Sequence, residues 1–137
     1  MTTHPNLNLI DHFFDAYDKR DINRIQQVLA ENVTWTFPGH NPVSGTKVGI
    51  DEVVAFFDTM GSIMGRSNVQ AEKLVMGVND EYMVECQHIW THRADGINLD
   101  HQWCVLWKIE NGKIKEGRHF AADQHSVDEF FSKVASS

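Results

Sequence analysis

The sequence is short of positive charge, of cysteine and of long apolar runs, and each shortage excludes a class of function. Twelve Lys and Arg against nineteen Asp and Glu leave a formal charge of −7 over 137 residues. No basic cluster is present to replace counterions along a phosphate backbone, so nucleic acid is not expected as a partner. No apolar stretch approaches the roughly 20 residues that cross a bilayer. Met1 to Asn8 has neither the basic start nor the apolar centre of an export signal. No membrane association is expected, and the chain reads as cytoplasmic. Two cysteines, Cys86 and Cys104, are too few for a disulfide framework or a metal site and fall in strand-like sequence, where they read as packed, reduced side chains. Repeats, linkers and low-complexity tracts are missing too, which points to one domain over 1–137.

What is present is a helical start followed by strands. Ile10, Phe13, Phe14 and Tyr17 recur at helical spacing until the charged stretch Asp18-Lys19-Arg20. Asp21 is a candidate N-cap for a short second helix carrying Ile22, Ile25, Val28 and Leu29. Val33 to Phe37 alternates as a strand until Pro38, which removes a ladder donor. The stretch Gly39 to Gly49 reads as a loop. A third helix carries Val53, Phe56, Phe57 and Met60, with Gly61 and Gly65 loosening its end. Four strands are expected next, over Asn68–Met76, Glu81–His92, Asn98–Ile109 and Lys113–Ala121, forming an antiparallel meander. Ser126 and Glu129 match a capping box for a closing helix with Phe130, Phe131 and Val134 on its apolar side.

A register follows if Asp95-Gly96 is a two-residue turn: Trp90 then faces His101, His88 faces Trp103, Cys86 faces Val105 and Val84 faces Trp107. Side chains alternate faces along a strand. The histidines and large aromatics would therefore share the concave face, and Cys86 and Cys104 would point to opposite sides. Met83, Ile89, Cys104 and Leu106 would form an apolar set on the convex face, suited to a homodimer contact.

The segments Phe14-Asp15-Ala16-Tyr17-Asp18-Lys19-Arg20-Asp21-Ile22, Leu29-Ala30-Glu31-Asn32-Val33-Thr34-Trp35, Ser44-Gly45-Thr46-Lys47-Val48-Gly49 and Trp107-Lys108-Ile109-Glu110-Asn111-Gly112-Lys113-Ile114 together resemble the SnoaL-like and ketosteroid-isomerase-like side of the nuclear-transport-factor-2-like superfamily, over residues 9 to 131. The resemblance implies a cone-shaped α+β fold, in which a curved antiparallel sheet is wrapped around a pocket by an N-terminal helical hairpin and a third helix. It also implies a place for each isomerase group, and most are replaced here. The general-base aspartate corresponds to Phe37, the helix-one tyrosine to Phe13 with Tyr17 one turn on, and the aspartic-acid donor to Val105. The SnoaL-type cyclases place an acidic residue near the end of the last strand, where Ala122 stands with Asp123 beside it.

Candidate chemistry rests on groups that can move a proton near neutral pH. His88 and His101 come first, then Asp123 and Tyr17. The plain structural alternative is that each histidine sits at a rim and that Asp123 meets solvent. Trp35, Phe37, Trp90, Trp103, Trp107, Phe13, Phe57 and Met60 could line a cavity for a flat apolar ligand, although core filling explains each one singly. Arg118 and His119 alternate near the end of the last strand, so only one faces inward, and Arg118 is read as outward. No helix carries paired histidines at metal-binding spacing, and no nucleophile elbow or phosphate loop is present, so no metal and no cofactor are expected. The sequence thus points to a pocket protein for a small apolar or polycyclic ligand, working as a cofactor-free isomerase, cyclase or lyase by proton transfer. The alternative is a non-catalytic ligand-binding or dimerisation module.

Overall fold

A computed structural model describes residues 4–64 and 69–135, which form four helices and six strands. The helices are α1 (Pro5–Asp18), α2 (Ile22–Val28), α3 (Ile50–Met64) and α4 (Gln124–Ala135). The strands are β1 (Leu29–Phe37), β2 (Gly45–Val48), β3 (Val69–Val78), β4 (Tyr82–Thr91), β5 (Asp100–Glu110) and β6 (Lys113–Ala121). The expected positions Gly65 and Asn68 lie outside the described residues.

Local chemistry sets the helix ends. Pro5 opens α1, with the His4 ring accepting from the Asn6 amide at 3.1 Å. The helix therefore starts five residues before Ile10, the first residue of the apolar pattern that signals it. Asp21 caps α2 as expected, accepting from the Arg24 amide at 3.2 Å. The closing helix differs from its expected capping box. Asp123 rather than Ser126 caps α4, accepting from the His125 and Ser126 amides and from the Ser126 hydroxyl at 2.8 Å.

The strands form one curved, unclosed sheet in the order β2-β1-β6-β5-β4-β3. It is mixed rather than purely antiparallel, because β1 lies parallel to β6. Between Gly39 and Gly49, read from sequence as loop, Gly45–Val48 pairs with Thr34–Phe37, and the hydroxyls of Thr36 and Thr46 meet at 3.0 Å. Buried residues of α1 (Ile10, Phe13, Ala16, Tyr17) and α3 (Val53, Phe56, Met60, Met64) pack against the inward faces of Trp35, Phe37, Trp103 and Trp107.

The β4–β5 register differs by one residue from the two-residue-turn expectation. Cys86 pairs with Cys104, His88 with Gln102 and Ile89 with His101. The Thr91 amide donates to the Leu99 carbonyl at 3.0 Å, which sets Thr91 opposite Leu99 just beyond the end of β5 and leaves 92–98, an odd number of residues, in the connection. The Thr91 hydroxyl accepts from the Leu99 amide and donates to Asn98 Oδ1, both at 3.0 Å. A slip of one turns a whole strand over. On β4 the inward residues are Met83, Glu85, Gln87, Ile89 and Thr91, and His88 and Trp90 go to the convex side. On β5 the inward set His101, Trp103, Val105 and Trp107 is as expected. The two cysteines stand side by side, and Met83 and Ile89 belong to the core, not to a convex apolar set. Thr91→Val, which leaves the buried Leu99 amide unpaired while Asn98 Oδ1 keeps the Arg93 amide at 2.7 Å, is expected to destabilise the chain by about 1–3 kcal/mol in urea denaturation.

Candidate functional site

The inward face of the sheet is a grid of rungs. Met83, Trp107, Gly117 and Trp35 lie across one rung, from β4 through β5 and β6 to β1. The next rung holds Glu85, Val105 and His119, with the Phe37 ring 5.0 Å beyond the imidazole. A third holds Gln87, Trp103 and Ala121. Neighbouring strands are about 4.8 Å apart, so Glu85 and His119 stand about 10 Å apart with only the short side chain of Val105 between them.

Against this grid the rings form one connected cluster. Trp35 and Trp107 meet edge to face with centroids 4.9 Å apart, and Phe57 of α3 lies 4.9 Å from Trp35. His119 is ringed by Trp35 at 5.6 Å, Trp103 at 5.2 Å and Phe37 at 5.0 Å. Phe14, on α1, is the exposed member at 38%, its ring edge-on to Phe57 and Trp107. Of the residues named as ligand lining, Trp35, Phe37, Trp103, Trp107, Phe13, Phe57 and Met60 all belong to this core or pack against it. Trp90 does not: it is half-buried on the convex side, 4.5 Å from the His88 ring.

Most polar groups along this face have partners, and a few do not. Trp103 Nε1 donates to Gln87 Oε1 at 2.9 Å, and Gln87 Nε2 donates to Glu85 Oε2 at 3.0 Å. Lys73 Nζ lies 3.5 Å from the other Glu85 oxygen, and Glu85 is buried. In contrast, Trp35 Nε1, Trp107 Nε1 and both ring nitrogens of His119 are buried without a hydrogen-bond partner. Each such group costs roughly 1–3 kcal/mol. Burial alone drives the His119 pKa down to about 3, so its imidazole is uncharged at neutral pH.

The residues expected to carry chemistry lie elsewhere. His88 Nε2 meets Asp100 Oδ1 at 2.6 Å on the convex rim. His101 is inward but accepts from the Asp123 amide at 3.3 Å; burial lowers its pKa, opposed by Asp123 and Asp100. The Asp123 carboxyl is exposed, committed to the α4 cap, and held low chiefly by the Ser126 hydroxyl. Tyr17 donates to Asp58 Oδ1 at 2.6 Å, and Arg20 meets the same oxygen at 2.7 Å. Among the described residues, no group of three or more His, Cys, Asp or Glu side chains is gathered as a metal ion would need, and no helix is long and apolar enough to cross a membrane.

A family model for the SnoaL-like domain matches residues 10–117. The chain belongs to the SnoaL-like family. Uncharacterised proteins of Mycobacterium tuberculosis and Mycobacterium bovis are 27% identical over 133 residues, covering 96% of this chain and all of theirs. Among solved structures, Bal32a from a soil-derived mobile gene cassette superposes with a TM-score of 0.76 at 24% identity, covering 92% of this chain and 95% of that one. TerC, co-crystallised with polyporic acid, gives 0.72 at 18% identity over 93% and 98% of the two chains. These likenesses establish the cone-shaped α+β fold. Within this SnoaL-like frame, sequence reasoning missed Glu85, which the two-residue-turn register carries to the convex face along with Met83 and Ile89, and His119, which it noted only as alternating with Arg118. Arg118 is exposed and His119 buried.

Proposed function

We propose that this SnoaL-like domain binds a small, flat, largely apolar molecule bearing a carbonyl or hydroxyl oxygen, and that it catalyses proton transfer next to that oxygen without a cofactor. The observation that carries this reading is the buried, unpartnered set of His119, Trp35 Nε1 and Trp107 Nε1 inside an aromatic cluster. Indole N–H groups and a neutral imidazole can all donate to one oxygen, and the surrounding rings suit a planar skeleton. A neutral imidazole is a suitable donor to an enolate, because charge develops on the oxygen only as the reaction proceeds. Glu85 is the base in this scheme. Its carboxylate accepts the proton from the carbon beside the carbonyl and returns it elsewhere on the skeleton, which is an isomerisation, or the resulting carbanion attacks a second carbonyl and the new alkoxide takes the proton back from Glu85, which is a cyclisation.

A binding module without catalysis is the second reading. Its support is Phe37 and Val105, which flank His119 in the same rung at positions where the isomerase resemblance implies acids. One experiment separates the two. Planar hydroxyquinones, polyporic acid among them because TerC was crystallised with it, are titrated against tryptophan fluorescence to measure binding, and solvent deuterium uptake is followed at the saturated carbons beside the carbonyl of planar cyclic ketones that bind. Glu85→Gln is expected to retain binding and to slow exchange by about 10²-fold or more. Binding with no exchange in the unaltered protein selects the module. No binding by any planar oxygen-bearing ligand rejects both.

The homodimer carries over as a proposal with an altered surface. Leu74, Val75 and Phe120 are exposed, and with Val84, Trp90 and Leu106 they belong to the apolar part of the convex face. Sedimentation is expected to show a pair at micromolar concentration. A persistent monomer would remove the proposal.

A further inference from the structure

The corrected register puts two thiols where a cross-strand bond can close. Cys86 and Cys104 are direct partners in the antiparallel β4–β5 ladder, both half-buried, with Sγ atoms 2.8 Å apart. Directly opposed residues have Cα atoms about 4.5–5.5 Å apart, inside the range of about 4.4–6.8 Å that a disulfide spans. The pair is also reachable. It lines an open, mainly apolar groove of about 350 Å³ on the convex face, with Leu74, Gln102, Phe120 and Ala122 around it.

We propose that Cys86 and Cys104 are a redox-convertible pair that a small-molecule disulfide closes into a bond between β4 and β5. The Cys86 thiolate attacks one sulfur of the small disulfide, forming a mixed disulfide and expelling one thiolate. Cys104 then loses its proton and attacks the Cys86 sulfur, forming the intrachain bond and expelling the second thiolate. The protein gives up two electrons and two protons, and the small disulfide becomes two thiols. The hydrogen bond with Cys86, with burial beside it, pushes the Cys104 thiol up to about 11, which disfavours Cys104 as the first attacker. Each cysteine sits between two inward-facing residues, Glu85 and Gln87 on β4, Trp103 and Val105 on β5. Closure therefore fixes the spacing of the central rungs, and it constrains the chain whether or not the interior binds a ligand.

The test is equilibration of the reduced full-length protein in oxidised and reduced glutathione at graded ratios, followed by acid quenching, alkylation and intact-mass measurement. The expected result is joint loss of both thiols, a mass lower by about 2 Da for the two hydrogens removed. The equilibrium constant should lie at least tenfold above that of the same chain in denaturant, because the fold holds the thiols together. Cys104→Ser should stop at a glutathione adduct on Cys86, and the oxidised protein should melt several degrees higher than the reduced one. A folded chain that oxidises no more readily than the unfolded one, that halts at mixed adducts, or that links two chains instead would overturn the proposal.

Discussion

Replacing Gly117 with alanine is expected to destabilise the protein by about 3 kcal/mol, the upper part of the range for overpacked cores. Gly117 lies on β6 between Trp35 of β1 and Trp107 of β5, and a Cβ there would overlap the six-membered ring of Trp35. That ring has little room to retreat. Trp35 is 1% exposed and is held by Trp107 and Phe57, each at 4.9 Å. The glycine is therefore required by close approach of an aromatic ring to the sheet, not by backbone conformation. Gly96→Ala is the control. Its φ of +77° makes alanine strained, but nothing lies within 4 Å of the added atom, so about 1 kcal/mol is expected. Urea midpoints with unchanged slopes would measure both. Equal small losses at the two sites would contradict the placement of Trp35 on Gly117.

His119→Phe is expected to move stability and binding in opposite directions. At neutral pH a phenyl ring replaces two buried, unpartnered nitrogens among Phe37, Trp35 and Trp103, and a gain of about 1–3 kcal/mol is expected. The same change removes a donor that the bound oxygen needs, so affinity for planar oxygen-bearing ligands should fall at least tenfold. The pH dependence carries a definite sign. His119 titrates near 3 when folded and near about 6.5 when unfolded, so the unfolded chain takes up the proton first. Stability from the neutral ring is complete above about pH 6.5, is lost as pH falls towards 3, and then levels off, with a total of up to about 5 kcal/mol. Carboxylates such as Asp123 also lose their contribution in acid, but they do so in both proteins. The advantage of His119→Phe should therefore widen steadily between pH 6.5 and 3. Parallel stability curves would show that His119 is not buried as an uncharged ring.

The helices were legible because each carries its own periodic apolar face and its own cap, as Ile10, Phe13 and Tyr17 do on α1 and Asp21 does before α2. The inward face of β5 was legible for the same reason, since His101, Trp103, Val105 and Trp107 alternate within one strand. Three features needed information that no single segment holds. The short strand Gly45–Val48 has little apolar character, and it is fixed by pairing with β1. The parallel contact of β1 with β6 joins residues some eighty positions apart. The face of β4 depended on the parity of a connection, because that strand has apolar residues on both sides, Met83 and Ile89 on one, Val84 and Trp90 on the other. That parity decided the site. The two-residue-turn register puts Glu85 and Gln87 on the convex side and His88 inside, whereas the buried imidazole belongs to His119, whose inward direction follows from its alternation with Gly117 across the exposed Arg118.

The central claim, that the unpartnered nitrogens of the aromatic interior receive a ligand oxygen, can be read from the four indole N–H resonances of the ¹⁵N-labelled protein during titration with polyporic acid and a panel of related planar hydroxyquinones. Trp103 already donates to Gln87 and Trp90 lies on the convex face, so each serves as an internal reference. Trp35 and Trp107 should shift downfield together as a hydrogen bond forms to each, with Trp103 and Trp90 moving little. Shifts confined to Trp90, or none from any member of the panel at millimolar concentration, would contradict the claim.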